Sequence, residues 1–273
     1  MASLRILADN RSTEAALPFE HGWSVWVDLG PAGAWLWDTG QTGLFWDNAA
    51  ACGIDPATAA GVALSHGHHD HAGGLPRLLA AGYSGPIIGH PDVLSRRYSR
   101  RGGTTFRSIG MGDGRLAGGI PKFHPVADCL ELAPGLTFVT NIERRPGNFE
   151  ATEHLYRDTA GLAPDCVPDD ACLVIEGGCG STVLLGCCHA GLANTLAHLR
   201  RCLGLTAVPT LIGGLHLAGA PVQALDEIER TLAAFAVQTV YTGHCTGEAG
   251  ESSLARRFAG RVVPTGCGLP ITV

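Results

Sequence analysis

Short apolar runs recur along the chain, punctuated by glycine, proline and acidic residues, with stretches of three-to-four-residue apolar spacing between them. Period-two or continuous apolar runs of this length predict strands, and the longer spacing predicts amphipathic helices. Residues 4–8, closed by Asp9-Asn10, predict a first strand. Residues 24–29 and 34–38 predict a hairpin turned at Pro31 and Gly33. A helix follows over residues 44–52, with Gly53 as its stop, and Asp55-Pro56 starts a short turn. Residues 62–64 are a buried strand, 75–81 a helix with proline in its first turn, and 86–89 another buried strand. In the second half, strands are expected over 136–140, 171–175, 182–185, 207–212 and 237–241. Helices are expected over 194–203 and 221–235, the latter with Leu225, Ile228, Leu232 and Phe235 on one face. Strands alternating with helices give an α/β layered fold, read as one domain over residues 1–273.

The run His66-Gly67-His68-His69-Asp70-His71 lies between the strand ending at Leu64 and the helix that begins near Leu75. Five of its six residues can ligate a metal. Residues two apart on an extended chain point the same way, so His66 and His68 can face one ion. Past the bend, Asp70 and His71 can face a second. Imidazole and carboxylate suit zinc, iron or manganese. A loose histidine tract would lie in a tail, whereas this one is locked between two ordered elements.

Composition narrows the field. The chain has 273 residues, 45% hydrophobic and 16% charged, with a net charge of -6. Nothing in that balance suggests nucleic acid or an anionic membrane as partner. No apolar run approaches membrane-spanning length, and the N-terminus lacks signal-peptide features, so a cytoplasmic location is expected. The ten cysteines include no Cys-x-x-Cys pair and are read as reduced. Cys188 and Cys245 adjoin His189 and His244, and buried packing is the favoured reading for both thiols.

Residues 95–122 break the rhythm of strands and helices. They hold Arg96, Arg97, Arg100, Arg101, Arg107 and Arg115, with seven glycines between Gly102 and Gly119. Guanidinium forks and glycine amides suit phosphate oxygens, so a lid is expected here, with Arg96 and Arg97 binding substrate. The competing reading is a solvated loop.

The histidine run resembles the His-x-His-x-Asp-His signature of the metallo-β-lactamase superfamily. Trp37-Asp38-Thr39-Gly40, Asn48-Ala49 and Gly53-Ile54-Asp55 extend the likeness. So do Gly186-Cys187-Cys188-His189-Ala190-Gly191, Gly213-Gly214-Leu215-His216-Leu217 and Gly243-His244-Cys245-Thr246-Gly247. Together they are similar to the branch named for a dihydropterin-linked ribofuranosylaminobenzene 5'-phosphate synthase. The resemblance implies an αββα sandwich: two mixed sheets face to face, helices outside, and metals at one edge. It implies His66, His68, Asp70, His71, His189 and His244 as ligands of one or two divalent ions, zinc first, with manganese or iron as alternatives. Asp38 would orient the site from below or, on the competing reading, cap a turn. His216 would line the pocket and contact substrate or be a buried structural histidine. His21 is read as structural.

One departure stands out. The strand over 182–185 should end in a metal-bridging Asp, and here it runs into Cys187, Cys188 and His189. His189 either replaces that Asp or fills an earlier histidine slot. In the first case the earlier slot is empty or taken by a residue such as Glu143 or His154. His189 is expected to ligate and Cys188 not to, since neighbours on a strand point to opposite faces. Asp70 is the candidate catalytic group, ligating metal and steering a water proton. The expected activity is metal-dependent hydrolysis of a small phosphorylated or ester-like molecule, with a pterin-phosphate condensation as the finer reading. An iron-dependent thiol-handling oxygenase and a non-catalytic metal-stabilised binding protein are the alternatives. The partner expected is a small-molecule substrate, and oligomeric state is left open.

Overall fold

The computed structural model describes residues 1–100, 102–103, 105–113, 116 and 119–273. Two seven-stranded mixed sheets face one another. The first runs, in spatial order, Pro270–Thr272, Ser3–Ala8, Ser24–Asp28, Ala34–Trp37, Gly61–Ala63, Ile87–Gly89 and Phe123–Pro125. The second runs Arg261–Pro264, Thr239–Thr242, Thr210–Ile212, Gly180–Leu185, Cys172–Gly177, Leu136–Val139 and Cys129–Ala133.

Side-chain alternation builds the layers. Leu4, Ile6, Val25, Val27, Trp35, Trp37 and Ala63 face inward and pack on Phe138, Leu173, Ile175, Leu184 and Ile212 of the opposite sheet. The intervening residues face outward. Leu7, Trp26, Leu36 and Val62 meet Phe45 and Ala49 of helix Leu44–Ala51, and Leu75 and Leu78 of helix Leu75–Ala80. Val174, Val183, Leu185, Leu211 and Val240 meet Leu192, Leu196 and Leu199 of helix Leu192–Leu203. They also meet Ile228 and Leu232 of helix Val222–Ala234, and Leu254 of helix Gly247–Arg257. This is the expected αββα sandwich. Among the described residues, no helix is long and apolar enough to cross a membrane.

Two tryptophans stitch the sheets together. The Nε1–H groups of Trp23 and Trp37, both fully buried, donate to the Leu185 carbonyl at 3.1 and 3.0 Å. A carbonyl oxygen has two lone pairs, and both are used here. That fixes the C-terminal end of strand Gly180–Leu185 against the first sheet.

The arginine- and glycine-rich segment differs from the expected loop. Tyr98–Arg100 and Phe106–Ser108 pair with each other, and Leu155–Tyr156 adds to Tyr98–Arg100, giving a small third sheet. Arg101 and Arg115 of the expected lid lie outside the described residues. Helix Leu192–Leu203 also starts earlier than expected. Asn194 lies inside it, where its Nδ2 donates to the Ala190 carbonyl and its Oδ1 accepts from the Arg145 amide.

Replacing Trp37 with Phe should lower the unfolding free energy by about 1 kcal/mol, because Leu185 keeps one donor. Replacement with Ala should cost about 3–5 kcal/mol through the cavity left behind. Urea denaturation checks both, and no loss in the Phe variant would show that the hydrogen bond contributes nothing beyond packing.

Candidate metal centre

Four loops at one edge of the sandwich deliver the site. The first follows strand Gly61–Ala63 and carries Ser65, His66 and His68 into the short helix His69–Ala72, which holds Asp70 and His71. The second follows strand Gly180–Leu185 and carries Cys187 and His189. The third follows Thr210–Ile212 to His216, and the fourth follows Thr239–Thr242 to His244 and Cys245. Close approach of these loops requires small residues. A Cβ on Gly67 would lie 1.9 Å from the Val93 carbonyl, and one on Gly186 would lie 2.3 Å from Ser65 Oγ.

Asp38 organises the floor. It is fully buried, accepts the Ser65 amide on Oδ1 at 2.7 Å, and accepts Ser65 Oγ on Oδ2 at 2.7 Å. Oδ2 also accepts His71 Nδ1–H at 2.7 Å. With its only proton on Asp38, Ser65 Oγ accepts from His66 Nδ1 at 2.9 Å. His189 Nδ1 donates to the Ala151 carbonyl at 2.6 Å, and His244 Nδ1 donates to Asn10 Oδ1 at 2.9 Å. Each partner is an oxygen acceptor, so each of these four imidazoles holds a proton on Nδ1. His66, His71 and His189 present a bare Nε2, while His244 Nε2 carries a second proton toward Asp70 that a metal would displace.

Those lone pairs converge. His66 Nε2 lies 3.0 Å from His68 Nδ1, and both ligating groups come within 4.8 Å of that of His189. His189 Nε2 is buried with no protein partner. A few ångströms away, His71 Nε2 lies 3.1 Å from His244 Nε2 and 3.1 Å from Cys187 Sγ. Asp70 Oδ2 lies 3.5 Å from His244 Nε2. Nitrogen and sulfur donors packed this closely and buried from water suit a shared cation in place of the protons between them. A tetrahedral ion with bonds of about 2.0–2.3 Å sets its donors about 3.3–3.8 Å apart, close to the spacing seen. The residues therefore fit divalent metal in two positions. His66, His68 and His189 form the first, and Asp70, His71, His244 and Cys187 surround the second.

The geometry bears on the departure in the sequence. His189 groups with His66 and His68, and Cys187 lies two residues earlier, just past the end of strand Gly180–Leu185. Cys187 groups with His66 and His71, with His189 and His216, and with His244 and Cys245, in each case within 4.8 Å. Cys187 and His189, two residues apart, both reach the centre, with Cys188 between them at a φ of 58°. Cys188 itself turns to the core, with Sγ 3.7 Å from Thr195 Oγ1. Glu143 and His154 join neither group. Cys187, Cys245 and His21 are functional candidates that the sequence reading did not select. The usable signal for Cys187 was its spacing of two from His189. His21 Nε2 lies 3.2 Å from Asp70 Oδ2.

His216 also lies at the centre, its ring 4.8 Å from that of His189. It lines a cavity of about 380 Å³ with Phe149, Glu150, His154, Leu155 and Pro221, a size suited to a small molecule. Larger hollows of about 560 and 510 Å³ open elsewhere and contain none of the centre's side chains.

The two arginines part company. Arg96 is exposed, and its Nε donates to the Gly112 carbonyl at 3.1 Å. Arg97 is not the substrate group expected. It is fully buried, with its guanidinium donating to Asp165 Oδ2 at 2.7 Å and Asp169 Oδ1 at 2.5 Å. A buried cation needs carboxylate partners, and three aspartates hold this one away from any surface a phosphate could reach.

The electrostatics divide the two positions. Burial, reinforced by neighbouring charges, holds the pKa values of His66, His68 and His189 well below the usual imidazole value. Burial acts the same way on His244, but the Asp70 hydrogen bond and the nearby Cys245 and Asp70 charges outweigh it and push its pKa up to about 9. Burial also opposes ionisation of Asp70. Hydrogen bonds from His21 and His244 win and hold its carboxyl well below the usual range.

The family model of the metallo-beta-lactamase superfamily matches residues 17–244. The chain belongs to the metallo-beta-lactamase superfamily. Among its relatives is the 7,8-dihydropterin-6-methyl-4-(beta-D-ribofuranosyl)-aminobenzene-5'-phosphate synthase of Methanocaldococcus jannaschii, 27% identical over 215 residues, which cover 75% of this chain and 72% of that one. A solved metal-dependent hydrolase of the superfamily superposes with a TM-score of 0.85 at 26% identity, over 100% of this chain and 99% of that chain. A diphosphatase from the PhnP family shares the fold, with a TM-score of 0.56 at 14% identity, over 100% of this chain and 98% of that chain. Members of this superfamily use metal, in keeping with the bare Nε2 atoms found here.

A ligand imidazole must be neutral. The depressed values at the first position keep it available in mild acid, whereas a proton competes for His244 even near neutrality. Lowering the pH should therefore empty the second position before the first. Metal retention across a pH series, read by elemental analysis after gel filtration, checks this order; simultaneous loss would contradict it.

Proposed function

We propose that the protein is a metal-dependent hydrolase of a small phosphorylated or ester-like molecule, built around two metal positions. The observation that carries this reading is the convergence beside Asp70 of the buried His66, His71, His189 and His244 rings, each held by an oxygen acceptor on Nδ1. When bound, divalent metal lowers the pKa of a coordinated water and polarises a carbonyl or phosphoryl oxygen.

The chain supplies the rest. The Asp38–Ser65 bonds hold His66 and His71 at fixed orientation, so little reorganisation is needed during reaction. Asp70, ionised and hydrogen-bonded to His21 and His244, is placed to accept and pass on a proton at the centre. His216 stands between the centre and the cavity, where it can contact substrate. Phe149 and Leu155 offer apolar surface to a ring, and His154 offers a polar contact. The M. jannaschii relative supports a finer reading, in which the substrate carries a pterin or a ribofuranosylaminobenzene 5'-phosphate. The fold shared with a diphosphatase is compatible with phosphate chemistry and selects no substrate.

Protein loaded separately with zinc, manganese or iron should turn over at least one member of a panel of phosphodiesters, phosphomonoesters and lactones, with the pterin and ribofuranosylaminobenzene phosphates included. Asp70→Asn should lower kcat by about 10²–10⁴-fold. His66→Ala and His68→Ala should remove the metal of the first position. Metal content unchanged in both histidine variants would sink the site assignment. Full loading without turnover, together with tight retention of a small molecule, would favour a binding protein instead.

A further inference from the structure

The three histidines of the first position come from two loops on different sheets, and something must hold those loops in register. Asp169 and Asp170 lie just before strand Cys172–Gly177 and are both fully buried or nearly so. Asp169 Oδ2 accepts the amide of Gly67 at 2.7 Å. Gly67 is the residue between His66 and His68. Asp170 Oδ2 accepts the amide of Ala190 at 2.7 Å. Ala190 directly follows His189. Asp169 lies in a turn closed by the Asp170 amide on the Val167 carbonyl at 3.1 Å, and from it the two adjacent carboxylates each reach a different ligand loop.

We propose that Asp169 and Asp170 form a positioning clamp that sets the three-histidine pocket from behind, with Arg97 as its anchor. This rests on the metal-dependent reading above. By holding the Gly67 amide, Asp169 fixes the plane of the His66–Gly67 peptide and so the directions of His66 and His68. Asp170 does the same for the peptide after His189. The clamp is itself held. Thr140 Oγ1 donates to the Asp169 and Asp170 carbonyls at 3.4 and 3.2 Å. Arg97 grips Asp169 Oδ1 and Asp165 Oδ2, while Arg157 Nε binds Asp165 Oδ1 at 2.7 Å. The Arg97 carbonyl accepts the Ile109 amide at 2.9 Å, and the Ile109 carbonyl accepts the His69 amide at 2.7 Å. Arg97 thus reaches the metal loop by two routes, through its side chain and through its backbone.

Stability alone is a poor reason for this arrangement. A buried ion network is commonly no more stable than apolar side chains of the same volume. Its specific product here is the orientation of two amides beside three ligands.

The two carboxylates also make different demands. Asp169 uses both oxygens as acceptors, so the NH₂ of an asparagine would face either Arg97 or the Gly67 amide. Asp170 uses only Oδ2, because its Oδ1 has no protein partner. An asparagine there keeps the bond to Ala190.

The test is Co²⁺ titration of the metal-free full-length chain, with the ligand-field spectrum of each position followed separately and apo stability measured by urea. Asp169→Ala and Asp170→Ala should each weaken the three-histidine position by about 10–100-fold and leave the second position near wild type. Asp169→Asn should weaken it as well, and Asp170→Asn should bind like wild type. The asparagine pair carries the test if the alanine variants fail to fold. Unchanged Co²⁺ affinity in the variants overturns the clamp while leaving the metal centre standing, as does equal weakening of both positions with loss of apo stability. Wild-type chain that takes up no Co²⁺ overturns both the clamp and the proposed function.

Discussion

The hydrogen bonds that Asp38 receives from Ser65 and His71 set the condition for the rest of the site. An imidazole can serve a metal only if its proton is parked on the far nitrogen and its ring cannot rotate. Asp38 does this directly for His71 and, through Ser65 Oγ, for His66. It can do so because strands Ala34–Trp37 and Gly61–Ala63 run parallel and end side by side, placing Asp38 beneath Ser65. The sheet register is thus translated into the tautomers of two ligands on the adjoining loop. Ala151 and Asn10, from unrelated loops, complete the pattern for His189 and His244.

The edge of the sandwich is also where the backbone is least relaxed. Asp38, Cys188, His216 and His244 all have φ between 48° and 58°, a region that residues with a Cβ seldom occupy. Such residues persist only where the surroundings determine them, and the two buried sheets provide that rigidity. At Cys188 an inert thiol faces the core while its neighbours on both sides face the centre.

How much of this was legible in the sequence follows from how local the determinants are. The strands and helices obey period and punctuation, and the ligand run His66 to His71 is contiguous, so both could be read. Asp38 was offered for the site by the family resemblance, with a turn cap as the competing reading. Cys187 was missed because the parity rule was applied to Cys188 and His189 alone and not to the pair two residues apart. Arg97 was misjudged for a different reason. Its partners Asp165 and Asp169 are about seventy positions away, so composition suggested a phosphate fork where the fold made a buried anchor. The small third sheet was equally invisible, since it borrows Leu155–Tyr156 from a segment that reads as irregular.

The paired tryptophans at Leu185 have an optical consequence. Both indoles are dry, and both are tied to the carbonyl that precedes Gly186 and Cys187. Trp23 also lies with its ring 6.5 Å from that of His244 and inclined to it by 29°. Indole emission responds to an imidazolium or a heavy ion at such range, so the change of state at His244 is written into the protein's own fluorescence. Trp23 is therefore placed to report on His244 without any added label.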